Sequence, residues 1–352
     1  MVTLTTKLMP ELADYAECIQ QDLKFAVIGF GKMGVLHSGI LNLLKPECVT
    51  AVVDNSRLLV VGASRLIKNI KFYRDVDKML ERENPNVVYV TTPAQSHYGI
   101  VSKLLKAHVE YIFVEKPPTT NSKDLLSLKG KMGSNQMVMV GFQKRFALPF
   151  RHAKMLISKK VIGDIEKVSA YIKSSDIMVP TARFDPLGRG VLLDLGIHLI
   201  DLLRWMFNAN AVETSRCMSI YTGLDDHFEA KLRIEDNAMI DMVATWCSPE
   251  HRLPETYVEV RASRGILRVT EDYLKVESVE SHPMLKDEKK LAMYKPHYYQ
   301  GMPPVNLADP EYTLEDIHFL CSINSRSEPL TSFKNVRGTM ELLDEIYRKA
   351  GV

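Results

Sequence analysis

From Lys24 onward the chain alternates short apolar runs with segments of helical spacing. Phe25–Ile28 is uniformly apolar, and Val49–Asp54, Val87–Thr91, Tyr111–Val114 and Met137–Gly141 repeat the theme. Strands that are apolar on both sides bury both faces, which predicts a parallel sheet sandwiched between helices. Met33–Leu44, Val76–Arg82, Ser96–Lys106 and Ser122–Leu128 supply the covering helices. In the third of these Ile100, Val101, Leu104 and Leu105 form one apolar stripe. The crossovers are expected to be right-handed. Between Asp54 and Phe72 the pattern predicts only an irregular or short helical piece.

The period changes near Lys144. Phe146–Ser158 reads as a helix that ends near Gly163. Ile165–Ser174, Glu213–Tyr221, Asp226–Ile234, Ala238–Trp246, Tyr257–Arg261 and Gly265–Thr270 then alternate apolar and polar positions. This is the pattern of an antiparallel sheet with helices on one face. One strongly apolar helix, Val191–Phe207, interrupts the series. The other sheet face must be solvated or paired, so a homodimer or homotetramer through the C-terminal sheet is expected. Residues 271–310 are charged, then rich in Tyr, Pro and Gly, and predict an irregular excursion: a surface loop, a cap or a subunit contact. Tyr312–Asn324 and Asn335–Lys349 close the chain as helices, the second with a stripe of Val336, Met340, Leu343, Ile346 and Tyr347. At the other end, Pro10 suits the first turn of a helix over Glu11–Gln21. The expected division is an extension (1–23), an α/β domain (24–143) and an α+β domain on a large, mostly antiparallel open sheet (144–352).

Composition excludes several classes. The 352 residues are 46% hydrophobic and 25% charged, with a net charge of +2 and no long basic tract, so neither nucleic acid nor an anionic membrane is expected as a partner. No apolar run is long enough to span a bilayer. The start, M-V-T-L-T-T-K-L-M-P, lacks the apolar core of a signal peptide, and the chain is read as cytoplasmic. Cys18, Cys48, Cys217, Cys247 and Cys321 are widely scattered and odd in number. They read as thiols in a reducing compartment, with no spacing that suggests a metal site.

The chemistry-bearing segments stand at strand ends. Gly29, Gly31 and Gly34 form G-x-G-x-x-G between the first strand and a helix, the context in which that motif binds a dinucleotide. Gly29 allows the sharp turn, Gly31 the approach of a pyrophosphate, and Gly34 close strand–helix packing. The helix N-terminus adds unpaired N–H groups and partial positive charge. Asp54, 20 residues past Gly34, suits the ribose hydroxyls and so favours NAD. Arg57 nearby is a guanidinium that accommodates the 2′-phosphate of NADP. Thr91–His97 (T-T-P-A-Q-S-H) and Glu115–Pro117 (E-K-P) follow the next two strands, with Ser96 placed to cap a helix. His97 reads as a structural lining of the cofactor cleft or as a chemical group. Lys116 is either a solvated charge or a cation aimed at a ligand. In Gly190–Met206 (G-V-L-L-D-L-G-I-H-L-I-D-L-L-R-W-M), Asp194 and His198 are four residues apart on one helix face, with Asp201 beyond them. Buried polar groups need partners or a purpose. Gly196 costs about 1 kcal/mol relative to alanine and predicts a close approach by another group.

Taken with G-F-x-x-R-F at Gly141–Phe146, these motifs make the chain resemble the glucose–fructose oxidoreductase / inositol dehydrogenase / MocA family from about Lys24 to Lys349. The resemblance implies a dinucleotide-binding domain, a C-terminal sheet domain used for oligomerisation, and NAD(P)-dependent hydride transfer to or from a sugar, inositol or related cyclic polyol. It implies His198 as acid/base, with Lys116 and Asp194 binding substrate hydroxyls and tuning the proton transfer. The implied cofactor set is Gly29, Phe30, Gly31, Lys32, Met33, Gly34, Asp54, Asn55, Arg57, Thr91, Thr92, Pro93, His97, Glu115 and Lys116. Lys116, Asp194, His198, Arg145, Arg183 and Arg189 form the candidate substrate set. Arg145 either binds substrate or staples the domains, and Arg189 either meets a substrate phosphate or carboxylate or forms a surface ion pair. Thr181, Arg183 and Asp185 lie in a loop expected to shape specificity. Two other activities share this fold: an NAD-dependent glycoside hydrolase and a non-catalytic NAD(P)-binding regulator.

Overall fold

The computed structural model describes residues 23–175, 190–221, 225–234, 238–295 and 310–352. The described chain divides into two units.

The first unit comprises residues 23–142 and 310–336. Its strands β1 (Phe25–Ile28), β2 (Val49–Val53), β3 (Lys71–Tyr73), β4 (Val87–Val90), β5 (Tyr111–Glu115) and β6 (Met137–Gly141) form one sheet of order β3-β2-β1-β4-β5-β6. Every pairing is parallel. β1, β4 and β5 are buried along their whole length, which is why they read as unbroken apolar runs. Helices α1 (Lys32–Leu44), α2 (Arg57–Leu66), α3 (Val76–Glu83), α4 (His97–Lys106) and α5 (Ser122–Lys131) connect the strands. Ser56, Asp75 and Asn121 cap α2, α3 and α5 by accepting the backbone N–H of Leu59, Lys78 and Asp124, each cap contributing about 1 kcal/mol. Of the irregular or short helical piece expected there, the structure forms the helix, α2. None of its residues is buried, so it has no core-facing stripe to read.

The second unit comprises the described residues of 143–295 together with 337–352. A short turn (Gln143–Phe146) leads into α6 (Leu148–Ser158) and β7 (Ile165–Lys173). A π-helical turn, Leu192–Gly196, runs into α7 (Ile197–Phe207). The strands β8 (Ala211–Met218), β9 (His227–Arg233), β10 (Met239–Thr245), β11 (Glu255–Ala262) and β12 (Gly265–Val269) follow. With β13 (Tyr273–His282) and β14 (Glu288–Tyr294) they complete an eight-stranded sheet of order β14-β13-β12-β11-β7-β10-β9-β8. All its pairings are antiparallel except β7–β10. The alternation holds along β9, where Phe228, Ala230 and Leu232 are buried between exposed neighbours.

Three expectations change. Residues 271–295 form the β13–β14 hairpin instead of an irregular excursion. Leu274 and Val276 are its inward positions, whereas β14 is a sheet edge with no fully buried residue, so charge masks the strand period. Residues 296–309 and the proposed helix over Glu11–Gln21 lie outside the described residues. The second domain is also not continuous over 144–352. Helix α8 (Pro310–Ser325) returns to the first unit, where Phe319 meets the rings of Tyr89 and Phe113, and the boundary passes through α9 (Phe333–Ala350). Finally, Cys48, Cys217 and Cys247 are free thiols, but Cys321 is disulfide-bonded. Sequence spacing carries no record of that proximity. Among the described residues no helix is long and apolar enough to cross a membrane, and no cluster of His, Cys, Asp or Glu suits a metal ion.

Candidate active site

The strand order of the first sheet reverses between β1 and β4, and open α/β sheets bind ligands beyond the carboxyl ends of strands at such a point. The glycine turn sits there. Gly29 has a φ of +93°, a conformation that disfavours side chains, and its N–H donates to the Val53 carbonyl at 2.7 Å. Thr91, just past β4, locks the other side: its hydroxyl donates to the Gly29 carbonyl at 2.6 Å. A Cβ on Gly34 would lie 2.0 Å from that same carbonyl oxygen, so α1 packs on bare backbone. Gly31 differs, because a Cβ there would meet nothing within 4 Å. Its small size leaves open space at the start of α1, where no side chain caps the first turn.

Asp54 braces this turn. One carboxylate oxygen accepts the Phe30 N–H and the other the Ser56 N–H, both at 2.8 Å. Each oxygen keeps lone-pair capacity for a further donor. Asn55 and Arg57 are exposed beside it. Arg74, which the sequence reading did not single out, reaches the Asn55 carbonyl at 3.3 Å. The signal available for it was its position directly after β3, the parallel neighbour of β2.

The loops after β4 and β5 are tied together from within. Ser96 makes no capping bond to α4; its hydroxyl turns back to the Pro93 carbonyl at 2.7 Å, against the expectation of a cap. His97 is fully buried, with Nδ1 2.7 Å from the Pro117 carbonyl oxygen and Nε2 2.6 Å from that of Thr92. Burial pushes its pKa down, against the two carbonyls, and the neutral ring donates to one of them at a time. Glu115 is also buried: one oxygen meets His37 Nε2 at 3.1 Å and the other accepts the Lys116 N–H at 3.0 Å. Both side chains are spent on internal bonds that frame the loops, which is the structural lining expected of His97. Lys116 is half-buried and precedes a cis peptide bond to Pro117.

In the second unit, Asp194 lies in the π-helical turn and His198 in the first turn of α7. π-turns inside helices occur frequently at functional sites. Asp194 is the one residue of the stretch 190–203 that is not buried, while His198 is 6% exposed. Gly196 makes the expected close approach: a Cβ there would lie 3.2 Å from Ala244 Cβ on β10. Arg145 is 3% exposed and holds Asp201 with two bonds of 2.7 and 2.6 Å, and Thr339 donates to the same carboxylate at 2.9 Å. Arg145 and Asp201 therefore tie α7 to its neighbours inside one unit. This pairing with Asp201 is a structural role of Arg145 that stands beside the substrate binding or domain stapling expected of it. Thr181, Arg183, Asp185 and Arg189 lie outside the described residues.

The model of the GFO/IDH/MocA oxidoreductase family, NAD-binding Rossmann fold, matches residues 23–142, and that of the GFO/IDH/MocA C-terminal domain matches residues 150–268. The chain belongs to the GFO/IDH/MocA family. As a member it is an NAD-binding oxidoreductase. It is 24% identical to myo-inositol 2-dehydrogenase of Thermotoga maritima over 54% of this chain and 57% of that protein. To the trans-1,2-dihydrobenzene-1,2-diol dehydrogenase of Xenopus tropicalis it is 23% identical over 80% of this chain and 83% of that protein. The crystallised levoglucosan dehydrogenase in complex with NADH and levoglucosan superposes with a TM-score of 0.80 at 19% identity, covering 94% of this chain and 98% of that one, a likeness of fold.

The GFO/IDH/MocA glycine turn fits its dinucleotide on its own geometry. The space above Gly31 is a cradle that a Cβ would fill, and the uncapped α1 terminus offers N–H groups to phosphate. Asp54 supplies acceptors at the end of β2 for ribose hydroxyls.

Proposed function

We propose that the chain oxidises a ring hydroxyl of a cyclic polyol or sugar, with His198 accepting the hydroxyl proton. The observation that carries this reading is the Asp194–His198 pair: a half-buried carboxylate in a π-turn, four residues before a histidine, in a segment whose other residues are mostly apolar and buried. Bound NAD would supply the hydride acceptor at C4 of its nicotinamide. His198 takes the proton as the carbinol carbon loses hydride, a task suited to a group that titrates near neutrality. Asp194 accepts a hydrogen bond from a neighbouring hydroxyl and orients the sugar ring. Lys116 stabilises negative charge developing on the reacting oxygen. Asp54 favours NAD over NADP because a carboxylate repels a 2′-phosphate.

The names of its relatives support the substrate class, since they include an inositol dehydrogenase and a diol dehydrogenase. The half-buried outer face of the C-terminal sheet, where Tyr171 and Tyr257 stack at 5.1 Å, supports pairing of two copies through that face. A panel of inositols, aldoses and anhydrosugars, with phosphorylated and carboxylated members, offered with NAD and NADP tests the reading. Net NADH formation on at least one member is the expected result. Cleavage of a glycoside without net NADH favours a hydrolase, and NADH binding without turnover favours a regulator.

A further inference from the structure

His37 lies on α1, three residues past Gly34, and is completely buried. Its Nδ1 is 3.0 Å from both carboxylate oxygens of Asp316 on α8, and its Nε2 is 3.1 Å from a Glu115 oxygen. A neutral imidazole carries one N–H, so a ring facing an ionised carboxylate from each nitrogen donates to both as the imidazolium; burial pushes the Asp316 carboxyl up, against the charge and hydrogen bond of His37. The chain of contacts continues outward: the other Glu115 oxygen accepts the Lys116 backbone N–H at 3.0 Å. Gly141 on β6 leaves room for that oxygen, since a Cβ there would lie 3.1 Å from it. The rings of Tyr89, Phe113 and Tyr312 enclose the imidazole. Glu311 and Glu315, from α8, also face this group. Burial first, and then the charge of Glu115, push the Glu315 carboxyl well up.

We infer that His37 is a positioning residue: tethered by Asp316, its imidazolium fixes the Glu115 carboxylate and, through it, the backbone from which Lys116 projects. Burial alone lowers the ring's pKa, but Asp316 and then Glu115 outweigh it and raise it well above 6.5. Because His37 acts through Lys116, this role rests on the reading of Lys116 proposed above.

The test uses the full chain loaded with NADH. Histidine-selective nitrogen NMR of the unmodified protein is expected to show both His37 nitrogens protonated at neutral pH, past the ordinary histidine value. His37→Gln removes the cation, and Gly141→Ala displaces Glu115 with every charge intact. Each variant is expected to raise acetylation of Lys116 by acetic anhydride several-fold relative to Lys123 and Lys131. On the best panel substrate, turnover falls about tenfold while NADH affinity holds within about twofold. A singly protonated ring at neutral pH, or folded variants that label Lys116 at the wild-type rate, overturns the inference. Should His37→Gln fail to fold, the NMR and Gly141→Ala decide. If the wild type oxidises no panel member, the dehydrogenase reading fails alone, because the NMR and labelling results do not depend on turnover.

Discussion

At the scale of single residues, the glycines of the first turn do different work, and substitution separates them. Alanine at Gly34 would force a Cβ to within 2.0 Å of the Gly29 carbonyl oxygen, so the turn itself must move. Alanine at Gly31 meets no protein atom and has an ordinary φ of −77°. Gly31→Ala is therefore expected to melt within a degree or two of wild type yet bind NADH at least about tenfold more weakly, because its methyl enters the phosphate space. Gly34→Ala loses both stability and binding. Thermal melts and NADH fluorescence titrations on the two variants check this. Asp194→Asn is expected to lower turnover by about 10²-fold with NADH affinity unchanged, as for loss of an oriented charged contact in the transition state. The strand, glycine turn and helix were legible because backbone needs show in sequence, and Asp54, Lys116, Asp194 and His198 stood out there as candidates by their polarity or position. The internal bonds of Arg145, His97 and Glu115 were not legible, because sequence shows that a polar group is present but not which way it points.

At the scale of elements, two buried networks set measurable energies. Arg145→Ala would strand Asp201 with Thr339 as its remaining named donor, and breaking one side of a buried pair costs about 3–5 kcal/mol. The double variant Arg145→Ala/Asp201→Ala is expected to lose less than the sum of its singles, measured by urea unfolding. The loops after β4 and β5 give a pH signature. The folded His97 ring is depressed below its unfolded 6.5, so the unfolded chain binds more protons in acid. Its contribution is present above about pH 6.5 and is lost as pH falls through the folded value. His37 has the opposite sign: raised in the fold, its contribution is full below about 6.5 and is lost as pH rises through the folded value. A His97→Gln variant is thus expected to flatten the acid side of the stability profile below about pH 6.5. The strands of both sheets were legible wherever one period held. The β13–β14 hairpin was not, because an edge strand lined with Lys and Glu hides its period, and α2 was not, because it buries nothing.

At the scale of the whole molecule, both sheets match their expected class, and the first boundary falls one residue from where the change of period put it. The return of α8 to the first unit was not legible. Its destination is set by tertiary packing of Phe319 on Tyr89 and Phe113, which leaves no mark on local pattern. Cofactor choice also belongs to this scale. Asp54→Ser is expected to narrow the preference for NAD over NADP, read as the ratio of kcat/KM for the two cofactors. The central claim, oxidation of a sugar or polyol hydroxyl with His198 as proton acceptor, is tested most directly by one paired measurement: NADH formation and NADH affinity for the wild type and His198→Ala. The expected result is turnover on at least one inositol or sugar that falls by about 10²- to 10⁴-fold in the variant, with NADH affinity unchanged. Equal turnover in the two proteins would contradict it.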